Sequence, residues 1–158
     1  MPAPQSETSV VERQLRIEAE PEVVFSFFTD PEKMVRWMGV GAILDPRPGG
    51  VFSVNMMEQY SFDGEYLAVE PNTRIIFTWG YGNFPDPNPM PAGSCTVEVE
   101  LVPDGVATIL RLSHRVPAEL ADFHTMGWEH YLGRLATVAA GGDPGPDELA
   151  EAIASTFP

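Results

Sequence analysis

A chain of 158 residues, 44% hydrophobic and 20% charged, is sized and composed for one globular domain with a substantial core. Nine basic residues against 23 acidic ones give a formal net charge of −14, which excludes phosphate backbones and anionic lipid surfaces as natural partners. No apolar run reaches the roughly 20 residues of a membrane span, the N-terminus lacks a charged-then-apolar leader, and the lone Cys95 cannot form an internal disulfide, so the expected setting is a reducing cytoplasm.

Residues 1–7 read as a disordered tail. Ser9 to Glu18 alternates, with Val11, Arg13, Leu15 and Ile17 on one parity, and forms a first strand with Arg13 towards its solvated end. Glu20-Pro21-Glu22 starts a helix whose apolar stripe is Val23, Val24, Phe27 and Phe28. Asp30 caps a second short helix with Pro31 at its first position, closing at Trp37-Met38-Gly39. Asp45-Pro46-Arg47-Pro48-Gly49-Gly50 is a stiff-then-flexible corner, with Arg47 expected in a structural salt bridge.

From Val51 the chain is β-rich. Phe52, Val54 and Met56 share a face opposite Ser53 and Asn55, and a second strand carries Phe62-Asp63-Gly64-Glu65-Tyr66 on to a turn at Glu70-Pro71-Asn72-Thr73. Ile75, Phe77, Trp79 and Tyr81 alternate. Between Gly82 and Gly93 prolines fall at every second position, 85 to 91, which predicts an extended, stiff loop. Val97, Val99 and Leu101 oppose Glu98 and Glu100; after the Pro103-Asp104-Gly105 hairpin turn, Thr108, Leu110, Leu112 and His114 oppose Arg111 and Ser113. Pro117 begins the longest helix, to about Ala140, with the stripe Leu120, His124, Trp128, Tyr131, Leu135 and Val138. Residues 141–146 are a linker, and Asp147 to Ser155 forms a short helix with Leu149 and Ile153 as its apolar pair.

This order gives an α+β fold: a curved antiparallel sheet wrapped around a long C-terminal helix, with two short helices after the first strand. Only the long helix can cover the apolar face of the sheet, and the space between them is expected to be lined by aromatic residues.

Asp30-Pro31-Glu32, Trp37, Gly39, the Asp45–Gly50 corner, Gly64, Phe77-Thr78-Trp79, Val97-Glu98-Val99 and Gly127-Trp128 occur in an order that resembles the helix-grip proteins of the SRPBCC (START-like) superfamily. Within it, the chain is most similar to the group named after the activator of the 90-kDa heat-shock chaperone ATPase. The resemblance covers roughly residues 8–140, leaving 141–158 as a linker and extra helix. It implies a deep apolar cavity between sheet and C-terminal helix, used for lipids, polyketides or other small molecules. The long loop at 82–93 and the tail are placed to alter the cavity mouth or to support a homodimer.

The expected cavity residues are Phe52, Val54, Met56, Phe62, Tyr66, Phe77, Trp79, Val99, Leu110, Leu112, His114, His124, Trp128 and Tyr131. Trp37 is assigned to core packing, while packing and ligand contact are evenly balanced for Trp79 and Trp128. His114 points inward, where it either orients a ligand or is a buried histidine bonded to a carbonyl or a tyrosine. Gly127 weakens its helix by roughly 1 kcal/mol relative to Ala, for close helix-to-sheet approach or for ligand space, the former preferred. Glu129 and Asp63 read as solvated charges.

His124 and His130 lack the one-turn spacing of helical zinc ligands, and no phosphate loop, dinucleotide fingerprint or nucleophile elbow occurs, so no metal, cofactor or catalytic set is assigned. Cys95 has no neighbour to activate it. The expected function is non-catalytic binding of an apolar or aromatic small molecule. Two alternatives stand beside it: a cyclase- or hydrolase-like enzyme using His114 as acid or base, and an interaction module that regulates a chaperone.

Overall fold

The computed structural model describes residues 7–57 and 60–154. Of the expected N-terminal tail only Glu7 falls within these, and its carbonyl accepts the Ala118 N–H at 2.9 Å; the side chain of Ile153 lies outside them.

Eight strands, β1 (Thr8–Ile17), β2 (Gly41–Leu44), β3 (Val51–Met57), β4 (Tyr60–Glu70), β5 (Arg74–Trp79), β6 (Tyr81–Gly82), β7 (Cys95–Asp104) and β8 (Ala107–Pro117), build one antiparallel sheet. Its order is β1-β8-β7-β5-β4-β3-β2, with β6 paired to β4 off this path. Period-two alternation sends one parity inward: Phe52, Val54 and Met56 on β3, Val97, Val99 and Leu101 on β7, and Leu110, Leu112 and His114 on β8 are all buried. The register places His114 opposite Val11 on one side and Val97 on the other. Bulges after Asn55 and after Tyr66 interrupt the ladders of β4 and add the curvature that a flat ladder would lack.

Helices α1 (Pro21–Thr29) and α2 (Pro31–Met34) follow β1. On α1 the buried residues are Val24, Phe27 and Phe28, spaced as one helical face, so Val23 turns outward and does not belong to the expected stripe. Asp30 caps α2 by accepting the Glu32 N–H at 2.9 Å. The last carbonyls of a helix need outside donors. Here the Trp37 indole donates to the Phe27 carbonyl at 3.0 Å and the Tyr66 hydroxyl to the Phe28 carbonyl at 2.8 Å. Burial, with a smaller push from Asp45, raises the Tyr66 pKa far above its usual value, so it remains a donor throughout. Trp37 is fully buried and packs edge-on to Phe28.

The long helix α3 (Ala121–Ala139) begins after a single 3-10 turn at Ala118–Leu120, slightly later than the sequence pattern suggests. It lays His124, Trp128, Tyr131, Leu132, Leu135 and Val138 into the concave face of the sheet. This is the helix-grip arrangement. Arg13, on the rim of β1, reaches Glu129 of α3 at 2.6 Å, so the solvated Glu129 carboxylate also makes an ion pair. Both groups are partly or largely exposed, and the pair adds about 1 kcal/mol at most. Arg47 pairs with Asp45 at 2.7 Å within the corner.

The proline-rich loop returns to the sheet. Gly80 separates β5 from β6, the Tyr81 N–H donates to the Met90 carbonyl at 2.7 Å, and Met90 is fully buried. Tyr81 pairs Phe62 of β4 and is buried with its hydroxyl beside His124, so it keeps the inward direction of Ile75, Phe77 and Trp79 although Gly80 interrupts the strand. A short helix α4 (Glu148–Ala154) ends the described chain.

Gly64 marks a close approach of β4 to β5. A Cβ there would be driven into the carbonyl and hydroxyl of Thr78, the hydroxyl that accepts the Glu65 N–H at 2.9 Å. Gly64→Ala is expected to lower stability by about 1–3 kcal/mol, as overpacking against backbone does, read as a fall in the urea midpoint at unchanged slope.

Candidate functional site

An apolar gap lies between the concave face and α3, lined by Met38, Met56, Phe62, Trp79, Phe123, His124, Gly127, Trp128, Tyr131 and Leu149. Its volume is about 30 Å³, room for a water molecule or two but not for a lipid or polyketide. The aromatic side chains fill the remaining space themselves. Phe62 stacks on Trp79 at 4.0 Å between centroids, Phe52 stacks on Phe77 at 4.0 Å, and Trp79 meets Trp128 at 5.3 Å. In this conformation the sheet and helix do not enclose a deep cavity.

Of the residues expected to line a cavity, Met56, Phe62, Trp79, His124, Trp128 and Tyr131 surround the gap. Phe52, Val54, Tyr66, Phe77, Val99, Leu110, Leu112 and His114 are buried, but in the packed interior beyond it. Four lining residues were absent from that set. Met38 follows α2, Leu149 is on α4, and Phe123 sits one place off the helix stripe, so no single periodicity could have joined them. Gly127 carries a signal of its own, since a mid-helix glycine needs a reason. Close packing is not that reason: a Cβ at Gly127 would meet nothing within 4 Å. The residue opens space at the gap instead.

The polar groups inside are few and specific. Trp128 Nε1–H donates to His114 Nδ1 at 3.0 Å, a partner that is neither the carbonyl nor the tyrosine expected from sequence. An indole N–H can only donate, so Nδ1 must keep its lone pair and the neutral ring carries its proton on Nε2. That Nε2 is buried without a hydrogen-bond partner among the described residues, as is the Trp79 indole nitrogen. The His114 ring lies 5.8 Å from Trp79 and 5.3 Å from His124, centroid to centroid. His124 Nε2 is 3.3 Å from the Tyr81 hydroxyl.

Burial, helped by neighbouring His124, pushes the His114 pKa down to about 3, and burial pushes His124 down to about 4. Both imidazoles are neutral near pH 7. With Nδ1 engaged by Trp128, His114 is a hydrogen-bond donor rather than a proton acceptor, and no carboxylate among the described residues hydrogen-bonds to it to make it a base.

The other singled-out residues are structural. Asp63 accepts from the Ser53 hydroxyl at 2.7 Å and the Ser61 hydroxyl at 3.0 Å, so it ties β3 to β4 rather than standing free in solvent. Burial pushes the Cys95 thiol up, away from nucleophilic thiolate. His130 turns to the C-terminal segment, with Nε2 2.8 Å from Asp147 Oδ1. No helix among the described residues is long and apolar enough to cross a membrane.

Residues 18–140 match the family model described as "Activator of Hsp90 ATPase homolog 1-like protein". Among solved structures, an AHSA1-like protein from Rhizobium etli is 43% identical, over 89% of this chain and 88% of that one, with a TM-score of 0.69. DynU16, described as a putative protein in the dynemicin biosynthetic locus, is 25% identical over 91% of this chain and 51% of that one, with a TM-score of 0.71. The Aha1 dimer from Colwellia psychrerythraea shares the fold at 15% identity, over 85% and 98% of the two chains, with a TM-score of 0.71. No curated protein matches the chain.

The two depressed histidines set a pH dependence. Above about pH 6.5 they are neutral in both folded and unfolded chains and contribute no slope. Below it the unfolded chain takes up protons that the folded core refuses, so stability falls by about 1.4 kcal/mol per pH unit for each histidine until the folded values are approached. Urea titrations between pH 7 and pH 5 should show this loss, and His124→Gln should remove about half of the slope.

Proposed function

The chain belongs to the Activator of Hsp90 ATPase homolog 1-like protein family, and from that premise we propose that it binds a small, neutral, largely apolar molecule carrying an oxygen acceptor, between α3 and the concave face of the sheet. The observation that carries this reading is Gly127. A helix that would gain roughly 1 kcal/mol from alanine keeps a glycine where a methyl group would meet no atom, at the edge of an apolar gap.

The polar groups add the chemistry. Two buried N–H donors, on Trp79 and His114, have no acceptor among the described residues, and an unsatisfied buried donor costs about 1–3 kcal/mol. Trp79 lines the gap, so a ligand oxygen reaching its indole N–H would recover part of that cost. Among the described residues the lining contains no Lys, Arg, Asp or Glu, and His114 and His124 are neutral, which favours a carbonyl-type acceptor over a carboxylate. The neighbour from the dynemicin biosynthetic locus lends support of a general kind, since such loci handle small molecules.

The gap must widen for any such ligand, because drug-sized pockets are roughly 300–1,000 Å³. Met38 and Met56 on its wall are the unbranched, adaptable side chains that allow this. An acid–base role for His114 finds no comparable support, because its lone pair is already committed to Trp128.

The neutral fluorophore N-phenyl-1-naphthylamine should bind saturably, and an added apolar ketone should displace it more effectively than the matching hydrocarbon. Gly127→Ala should raise stability by up to about 1 kcal/mol, while Gly127→Leu should abolish probe binding in a chain at least as stable as the wild type. Absent binding, or binding untouched by Gly127→Leu, would reject the reading.

A further inference from the structure

The matched family domain stops at residue 140, yet the gap does not: Leu149, on α4, is part of its lining. A helix as short as Glu148–Ala154 cannot hold itself in water. Its place is fixed by α3. Asp147 Oδ2 accepts the Tyr131 hydroxyl at 2.8 Å, while Oδ1 lies 2.8 Å from His130 Nε2 and accepts the Ala150 N–H at 3.0 Å. Burial opposes the charge on Asp147, but the Ala150 amide, Tyr131 and His130 together hold its carboxyl below the ordinary value, so it remains an acceptor near neutral pH.

The linker is held as well. Arg134 donates through Nη1 to the carbonyls of Pro144 at 3.3 Å and Gly145 at 2.9 Å, and through Nε to the Trp37 carbonyl at 3.1 Å. These fastenings are polar and partly exposed, so each has water as a ready substitute, unlike the aromatic contacts inside.

We propose that residues 143–152 form a hinged wall of the binding gap, in which Leu149 limits the size of the ligand at the mouth and Asp147 is the positioning residue that keeps the wall shut. Tyr131 joins the two roles. Its ring lines the gap while its hydroxyl holds Asp147, so a ligand that displaces the ring also loosens the wall. The wall rests on the ligand-binding reading for its purpose, but its existence can be tested without any ligand.

The full-length chain and its Asp147→Ala, Tyr131→Phe and Leu149→Ala variants would be compared in two measurements. The first is acrylamide quenching of tryptophan fluorescence, which reports access to Trp79 and Trp128 at the gap. Asp147→Ala and Tyr131→Phe should each raise quenching severalfold at unchanged far-ultraviolet dichroism, and quenching equal to wild type in both would overturn the wall. The second is stopped-flow binding of N-phenyl-1-naphthylamine. Asp147→Ala should raise the association and dissociation rates together, by about tenfold, with little change in affinity. Leu149→Ala should instead strengthen binding of the bulkier N-phenyl-2-anthracenamine relative to the naphthylamine. Probe binding whose rates and size preference ignore all three variants also overturns it. If the wild type binds neither probe while quenching responds as expected, the wall stands and the ligand-binding reading fails.

Discussion

The hydrogen bond from Trp128 to His114 governs the interior. It joins the middle of α3 to the inward face of β8, at a point where the register sets Val11 and Val97 on either side. A neutral buried hydrogen bond contributes only about 0.5–1.5 kcal/mol net, yet leaving either partner unmet is costlier, so the helix has one favourable rotation on the sheet. That rotation brings Gly127 to the gap and Tyr131 towards the C-terminal segment. The same bond selects the histidine tautomer, which leaves Nε2–H as a donor that, like the Trp79 indole N–H, meets no acceptor among the described residues.

Around that tie the aromatic residues divide into two layers. In the inner layer Phe52, Tyr66 and Phe77 pack together and the Tyr66 hydroxyl closes the end of α1, a task shared with Trp37. These groups hold α1 and α2 to the sheet and have no polar capacity left over. The outer layer, Phe62, Trp79, His124 and Trp128, stands between the first and the gap. It is equally apolar but less completely bonded, since the Trp79 indole N–H meets no acceptor among the described residues. Stability is concentrated in one layer and adaptability in the other.

Periodicity made the inward parity of β3, β7 and β8 and most of the α3 stripe legible, because burial on a pleated or helical surface repeats with fixed spacing. Asp30 and its proline announced α2 through the chemistry of helix starts. What periodicity cannot convey is depth. Phe52 and Phe62 share an inward direction, yet only Phe62 borders the gap, because bulges and strand curvature decide how far each side chain stands from α3. Gly127 was visible as an anomaly, but its meaning depended on whether an atom lay opposite, a fact of packing rather than of sequence. Met38 and Leu149 are separated by most of the chain and meet only through tertiary structure. Tyr81 stays on the inward parity of Trp79 even though Gly80 interrupts the strand between them.

Where Leu149 stands in the chain has a consequence for how such a site diversifies. A residue deep in the sheet cannot change size without disturbing neighbours packed on every side. Leu149, on a short helix outside the matched domain, is only half-buried against the core, so substitution there disturbs the sheet and α3 less. On the proposed reading, a change of size at Leu149 would alter what the gap admits while leaving the packed sheet and α3 in place.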